Sequence, residues 1–228
     1  MKKNLFSYFY TMKKTFFLSG LLVPVLLLSA CTGGYDYAKH LSEVKRDIFC
    51  AATEEFTVTL SCISREHPYA SDGITCPMTD LTEIVLCPKD SAANYSVYVM
   101  GEQEWGGEMS FRSAQNDWFY SQSVGDFPAN SVTLRVEWEG GSREIVASSV
   151  KNEHTMSAEE ALQTAISHEK AAIDARMQNG SFTGEFRVRL LRRDANYYYV
   201  GIVDGNGHTI SLLLCAESGE VLARRETP

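Results

Sequence analysis

The first thirty residues settle which part of the chain is left to fold. Lys13 and Lys14 precede an apolar run from Phe16 to Leu28, which is shorter than the ~20 residues a membrane-spanning helix needs. A basic start, a short apolar core and small residues at its end are the layout of a secretory signal. The run closes on Leu28-Ser29-Ala30-Cys31, where Ser29 and Ala30 suit the narrow subsites of a peptidase and Cys31 offers a thiol. Met12-Lys13-Lys14 makes a complete signal by itself, so Met12 competes with Met1 as the true start.

Leu28 to Cys31 resembles the lipobox of bacterial lipoproteins. The resemblance implies that residues 1–30 are a signal peptide, that Cys31 is the lipidation site, and that residues 31–34 form a short tether. The expected location is the cell membrane, with the chain held by its lipid and facing the extracytoplasmic side. Burial of acyl chains contributes about 0.8 kcal/mol per CH2, so two or three chains make the attachment nearly permanent.

Removing the signal takes away Lys2, Lys3, Lys13 and Lys14 but no acid, leaving 17 basic and 29 acidic residues, a net charge of −12. A nucleic-acid partner is disfavoured by that balance. Residues 31–150 carry 8 basic and 18 acidic side chains, whereas 151–228 carry 9 and 11. This asymmetry suggests a boundary near 150. With Cys31 acylated, Cys50, Cys62, Cys76, Cys87 and Cys215 remain. An odd number outside the cytosol leaves at least one unpaired within the chain, and spacing alone does not choose between disulfides and buried thiols.

Apolar residues Ala38, Leu41, Val44 and Ile48 recur at spacings of three and four, which predicts an amphipathic helix from Tyr35 to about Ala52. Strand-like runs follow. Phe56, Val58, Leu60 and Cys62 alternate with hydroxyl residues, and Val132, Leu134, Val136 and Trp138 alternate before the turn at Gly140-Gly141. Further runs lie at Leu81 to Cys87 and Tyr95 to Met100. Together they predict a leading helix plus an antiparallel β-sandwich over 35–150, with an immunoglobulin-like topology as one form it can take. Residues 151–156 read as a linker. Ser157 and Glu160 make a capping box for a helix running to about Gln178, and alternating runs at Phe182 to Leu191, Tyr197 to Val203 and Thr209 to Cys215 follow. The fold class expected is therefore α+β, with a small helix-plus-antiparallel-sheet domain over 157–228.

The helix from Ser157, the tyrosine-rich strand ending in Val200-Gly201-Ile202, and Ala216-Glu217-Ser218-Gly219-Glu220-Val221-Leu222 resemble a PepSY-type domain. The resemblance covers the last third of the chain and departs at Cys215, where the family often has aspartate. It implies an extracytoplasmic module that binds or restrains peptidases.

Sites for chemistry are sparse. A zinc site would draw on Cys62, His67, Cys76 and Cys87, yet only Cys62 and His67 approach the tight spacing that limits the entropy of closing such a site. A thiol nucleophile would use Cys215 with His168 or His208, but Leu212-Leu213-Leu214-Cys215 reads as a strand interior, where burial raises a thiol's pKa. No Gly-x-Ser-x-Gly elbow, phosphate loop or dinucleotide fingerprint is present. Glu54-Glu55, or Glu102 with Glu104, supply carboxylate pairs that exposed turns explain equally well. Trp105, Trp118, Phe119, Tyr120, Trp138 and Tyr197 to Tyr199 could line a peptide or glycan surface, and Arg187 and Arg189 share one strand face. The sequence therefore points to a non-enzymatic, tethered binding or scaffolding module without a cofactor, facing a peptide, a wall polymer or a neighbouring protein. A PepSY-like peptidase regulator is the alternative, and an extracytoplasmic enzyme comes third.

Overall fold

The structure is a computed structural model that describes residues 35–70, 72–89, 94–127 and 130–228. The expected signal, Cys31 and the expected tether lie outside the described residues. Asp36 to Pro228 cluster as one compact unit.

A 3-10 turn at Tyr37–His40 leads into β1 (Leu41–Ala52), β2 (Phe56–Glu66) and β3 (Met78–Pro88), an antiparallel meander. Then come β4 (Tyr95–Met100), β5 (Trp105–Glu108), β6 (Ser110–Arg112), β7 (Asp117–Gln122), β8 (Ser131–Trp138) and β9 (Gly141–Ser149). Two helices follow, α1 (Ala158–His168) and α2 (Lys170–Asp174), and a two-residue hairpin of β10 (Met177–Gln178) and β11 (Ser181–Phe182). The meander β12 (Gly184–Arg192), β13 (Asn196–Asp204), β14 (Thr209–Cys215) and β15 (Val221–Thr227) completes the chain.

The helix expected over 35–52 is a short 3-10 turn followed by strand β1, and the expected sandwich, immunoglobulin-like or otherwise, does not form. Strands hold 57% of the described residues and helices about 11%, so a leading helix has no place in the architecture. The helical spacing misled because β1 is a central strand whose buried residues Ser42, Glu43, Val44, Ile48 and Phe49 do not alternate. Partners cover both its faces, and a bulge between Lys45 and Asp47 shifts its register by one, which moves the later side chains to the opposite face.

Instead of two stacked sheets, one sheet rolls into a nearly closed barrel. It runs β7-β3-β2-β1 and continues through β9-β8-β4-β5. The stretch from Trp105 to Arg112 then turns at Met109, pairing first with β4 and afterwards with β7, which draws the two ends of the roll together. Met109 itself is buried. The interior holds Phe49, Phe56, Val58, Leu60, Ile84, Leu86, Val97, Leu134, Val136 and Trp118. Trp118 meets Tyr95 edge-on at 5.4 Å, and Trp138 meets Phe56 at 5.8 Å.

The same strand β1 carries the other half of the sheet. Its first half pairs in parallel with β12, from Leu41 opposite Phe186 to Lys45 opposite Arg189, while Phe49 and Cys50 pair with β9. The sheet therefore runs unbroken past residues 151–156, from the barrel to β15. Ala158, Ala161, Leu162 and Ala165 of α1 are buried against the sheet made by β12 and β13, where Phe186, Val188, Leu190, Tyr198 and Val200 are fully covered. The capping box forms, with the Glu160 amide donating to Ser157 Oγ at 3.1 Å and the Ser157 amide donating to Glu160 Oε2 at 2.7 Å.

Phe49 sits where β1 changes neighbours, 1% exposed. Replacing it by Ala should cost about 3–5 kcal/mol, the range for emptying a packed aromatic site. A denaturant titration of Phe49→Ala checks this, and a loss below about 1 kcal/mol would mean that the junction is not tightly packed.

Candidate functional site

The connection between β2 and β3, residues 67–77, is longer than a hairpin loop needs to be. It lies as a strap across the face of the sheet turned away from the helices. Tyr69 fixes it at the centre: its hydroxyl donates to Glu43 Oε2 at 2.6 Å and accepts from Arg189 at 3.0 Å. Arg65 and Arg187 each lie 5.1 Å from the Tyr69 ring centroid, a pair of cation-π contacts from two different strands. Arg189 also forks onto Glu43, with bonds of 2.9 and 2.7 Å. At its return the strap gives the Cys76 amide to Glu66 Oε2 at 3.0 Å. Its tip rests on the β13–β14 turn so closely that a Cβ on Gly73 would stand 2.8 Å from the Gly205 nitrogen, and Gly73 has a φ of +73°. A side chain is excluded there by contact and by backbone conformation together.

Electrostatics follow from this burial. Burial alone would raise the Glu43 carboxyl, but hydrogen bonds from Arg189 and Tyr69 together with the Arg189 charge hold it below the usual carboxylate range. The Tyr69 hydroxyl is pushed up, first by burial and then by its bond to Glu43. Burial lowers the Lys45 ammonium on the neighbouring position, and Glu83 and Glu43 offset that only in part.

Under the strap tip lies a cavity of about 590 Å³. Four parts of the chain wall it: His40; Asp72 to Thr75 of the strap; Ala175, Arg176, Gln178, Phe182 and Thr183 around the small hairpin; and Asp204 to Asn206 of the β13–β14 turn. The wall is polar, and among the described residues the buried Nε of Arg176 has no hydrogen-bond partner in it, whereas the other groups of that side chain are engaged. Arg176 donates to the Ala172 carbonyl and to His208 Nδ1, both at 2.9 Å. Arginine only donates, so Nδ1 is the acceptor and the ring proton sits on Nε2, 3.2 Å from Glu226 Oε1. Asp204 Oδ1 accepts the Asn206 and His208 amides at 2.9 and 3.1 Å, and its other oxygen stands 3.8 Å from Arg176. Such a wall offers hydrogen bonds from Thr75, Gln178, Thr183 and Asn206 beside the apolar Ile74 and Phe182.

The residues singled out from sequence are distributed differently. Cys31 lies outside the described residues. Cys50, Cys62, Cys76, Cys87 and Cys215 are all free thiols. Among the described residues no three His, Cys, Asp or Glu side chains converge in a way that could hold a metal ion, so Cys62, His67, Cys76 and Cys87 stay apart. The thiol raised by burial is Cys62, pushed up to about 12. Cys215 is the reverse of the expectation: it ends its strand, where hydrogen bonds from the Ser218 hydroxyl and from the Ser218 and Glu217 backbone hold it below the usual thiol value. His168 is engaged by Glu169 and His208 by Arg176. Trp105 stacks on Phe127 at 6.1 Å, and Tyr198 is buried with its hydroxyl on the Met156 carbonyl. Arg187 and Arg189 do share a face, but Glu185 and Glu43 neutralise them. Sequence reading missed the strap and Glu43. The available signal was the interval of eleven residues holding His67-Pro68-Tyr69 between two strand-like runs, together with a glutamate inside a run that buries its neighbours.

Removing Arg189 leaves Glu43 buried with the Tyr69 hydroxyl but no bonded cation, which should cost about 3 kcal/mol near neutral pH. A carboxyl held low contributes stability that is present above its unfolded value and is lost as pH falls through its folded value. The deficit of Arg189→Met relative to the parent should therefore shrink as the medium is acidified. Urea midpoints measured across pH check this, and a deficit independent of pH would contradict it.

Against protein-family models, characterised proteins and solved structures alike, the chain shows no match.

Proposed function

We propose that this chain is a bacterial lipoprotein, anchored through Cys31 to the outer side of the cell membrane, and that it works as a non-enzymatic binding module. The cavity beneath the strap is the binding site. Its volume of about 590 Å³ lies within the range of small-ligand sites, ~300–1,000 Å³. Four separate chain segments converge on it, and that convergence is the observation that carries the reading. A wall in which Asp204 stands 3.8 Å from the Arg176 guanidinium and balances its charge favours a polar, hydrogen-bonding ligand of little net charge over a strongly ionic one. In the extracytoplasmic setting of a tethered chain, a short segment of wall polymer has that chemistry. The tether and the net charge of −12 on residues 31–228 keep the module soluble close to the bilayer.

Thr75→Trp, at the strap tip, places a large ring in the cavity without touching the barrel core. Soluble peptidoglycan fragments titrated by calorimetry into the mature chain should bind to the parent, with affinity falling at least about tenfold in the variant. Equal affinity in both would remove the cavity from the account. A Cys31→Ala chain should leave the detergent phase and keep its signal; the same size and the same partitioning as the parent would remove the anchor.

A further inference from the structure

His208 stands between the cavity wall and β15, and groups from three parts of the chain meet at its ring. Nδ1 accepts from Nη2 of Arg176, which follows α2, at 2.9 Å, and Nε2 faces Glu226 Oε1 of β15 at 3.2 Å. Asp204 Oδ2, at the end of β13, stands 3.8 Å from that same Nδ1 and 3.8 Å from Arg176 Nη2. The other charged groups nearby are engaged among themselves: Glu226 takes Arg224 at 3.0 Å, and Arg224 also bonds Glu169 at 2.9 Å. On the cavity wall, Asp72 accepts the Ile74 amide at 2.9 Å and His40 donates to the Gly184 carbonyl at 3.1 Å.

An imidazole nitrogen accepts a hydrogen bond while it carries no proton; in the doubly protonated ring both nitrogens donate. A second proton on His208 therefore sets two donors and two positive charges face to face across 2.9 Å, and one of them must withdraw. The histidine is held in place. Its amide donates to Asp204 Oδ1 at 3.1 Å, and its carbonyl accepts the Asp204 amide at 3.1 Å. The arginine side chain is held less: besides His208 it bonds the Ala172 carbonyl through Nη1 at 2.9 Å, and among the described residues its Nε has no partner. The guanidinium is thus the part that moves, and the residue already lines the cavity.

We infer that His208 sets the charge of the ligand the cavity accepts. While the ring is neutral, Arg176 is pinned to the wall with Asp204 balancing it, and the site suits an uncharged polar ligand. When the ring takes a proton from solvent, Nδ1 turns from acceptor to donor and binds Asp204 Oδ2. The guanidinium then loses both its acceptor and its counter-charge, swings into the cavity, and offers its fork of donors to an oxyanion. Acidification therefore converts the same cavity from a neutral-ligand site into an oxyanion site. This rests on the reading of the cavity as the binding site, to which it adds the ligand's charge and the condition under which it enters.

The test uses the mature chain labelled with nitrogen-15 in histidine and arginine. Without ligand, NMR should show His208 with Nδ1 unprotonated at neutral pH, and the Arg176 side-chain signals should change as that ring titrates. Sulfate, which stays fully ionised throughout, is then titrated while the Gln178 and Asn206 amides are followed. Its affinity should rise about tenfold as His208 takes its second proton. In His208→Gln, whose amide oxygen accepts from Arg176 at every pH, the affinity should stay within about twofold over the same range. If that variant does not fold, Arg176→Met serves: the ring should still titrate while the rise in sulfate affinity is lost. A proton on Nδ1 at neutral pH, sulfate binding that does not follow the ring, or an equal rise in either variant would overturn the inference. The ring and guanidinium signals need no ligand, so their failure and a failure of fragment binding at neutral pH are distinguishable.

Discussion

Strand β1 has three neighbours where a strand has two edges. Along one edge it pairs with β2 throughout; along the other it begins with β12 and ends with β9. The switch requires the strand to turn away from one sheet and into another, and the bulge between Lys45 and Asp47 supplies the local twist. Everything before the switch faces the helix-covered sheet, and everything after it faces the barrel. Parallel pairing with β12 adds a further constraint, because a parallel neighbour must arrive by a long crossover. Most of the chain lies between the two paired segments.

The first half of β1 is covered on both faces, at Ser42, Glu43 and Val44, yet it carries the carboxyl of Glu43 there and the ammonium of Lys45 beside it. The fold answers with the strap. Tyr69 and Arg189 complete the hydrogen bonds of Glu43, and the guanidinium groups of Arg65 and Arg187 each lie 5.1 Å from the Tyr69 ring, which stays 40% exposed. Buried ionic groups of this kind add little net stability compared with apolar packing, but breaking one partner away is costly. The arrangement therefore fixes where the strap lies. The strap in turn fixes its tip against Gly205, and the contact between tip and turn makes a cavity wall out of two loops that would otherwise stand apart.

Much of the strand pattern was legible because it sits on half-buried faces. Val132 to Trp138 alternate as β8 with a turn at Gly140 into β9, and Phe56 to Cys62 alternate as part of β2. The helix start at Ser157 was legible because a capping box is a local device. The helix was expected to run to Gln178 but breaks at Glu169, whose carboxylate is taken by Arg224 of β15 at 2.9 Å. Such a contact 55 residues away leaves no local signal. The same holds for residues 35–52, where long-range pairing on both edges overrode a helical spacing of apolar side chains, and for barrel closure, which depends on Met109 dividing one stretch between two partners. Of the candidate site, the cavity residues come from four separate segments, and no single window of sequence contains them.

The central claim is that β1 joins the barrel and the helix-covered sheet into one structure, so that the strap and its cavity are held by both. Native-state hydrogen exchange resolved by residue tests it most directly. The amides of Val44, in the half paired with β12, and of Phe49, in the half paired with β9, should open with the same free energy, within about 1 kcal/mol, and that value should be the highest in the chain. If Val44 opens together with β13 and Phe49 together with β8 at clearly different free energies, the two halves are separate units that merely share a strand, and the account fails.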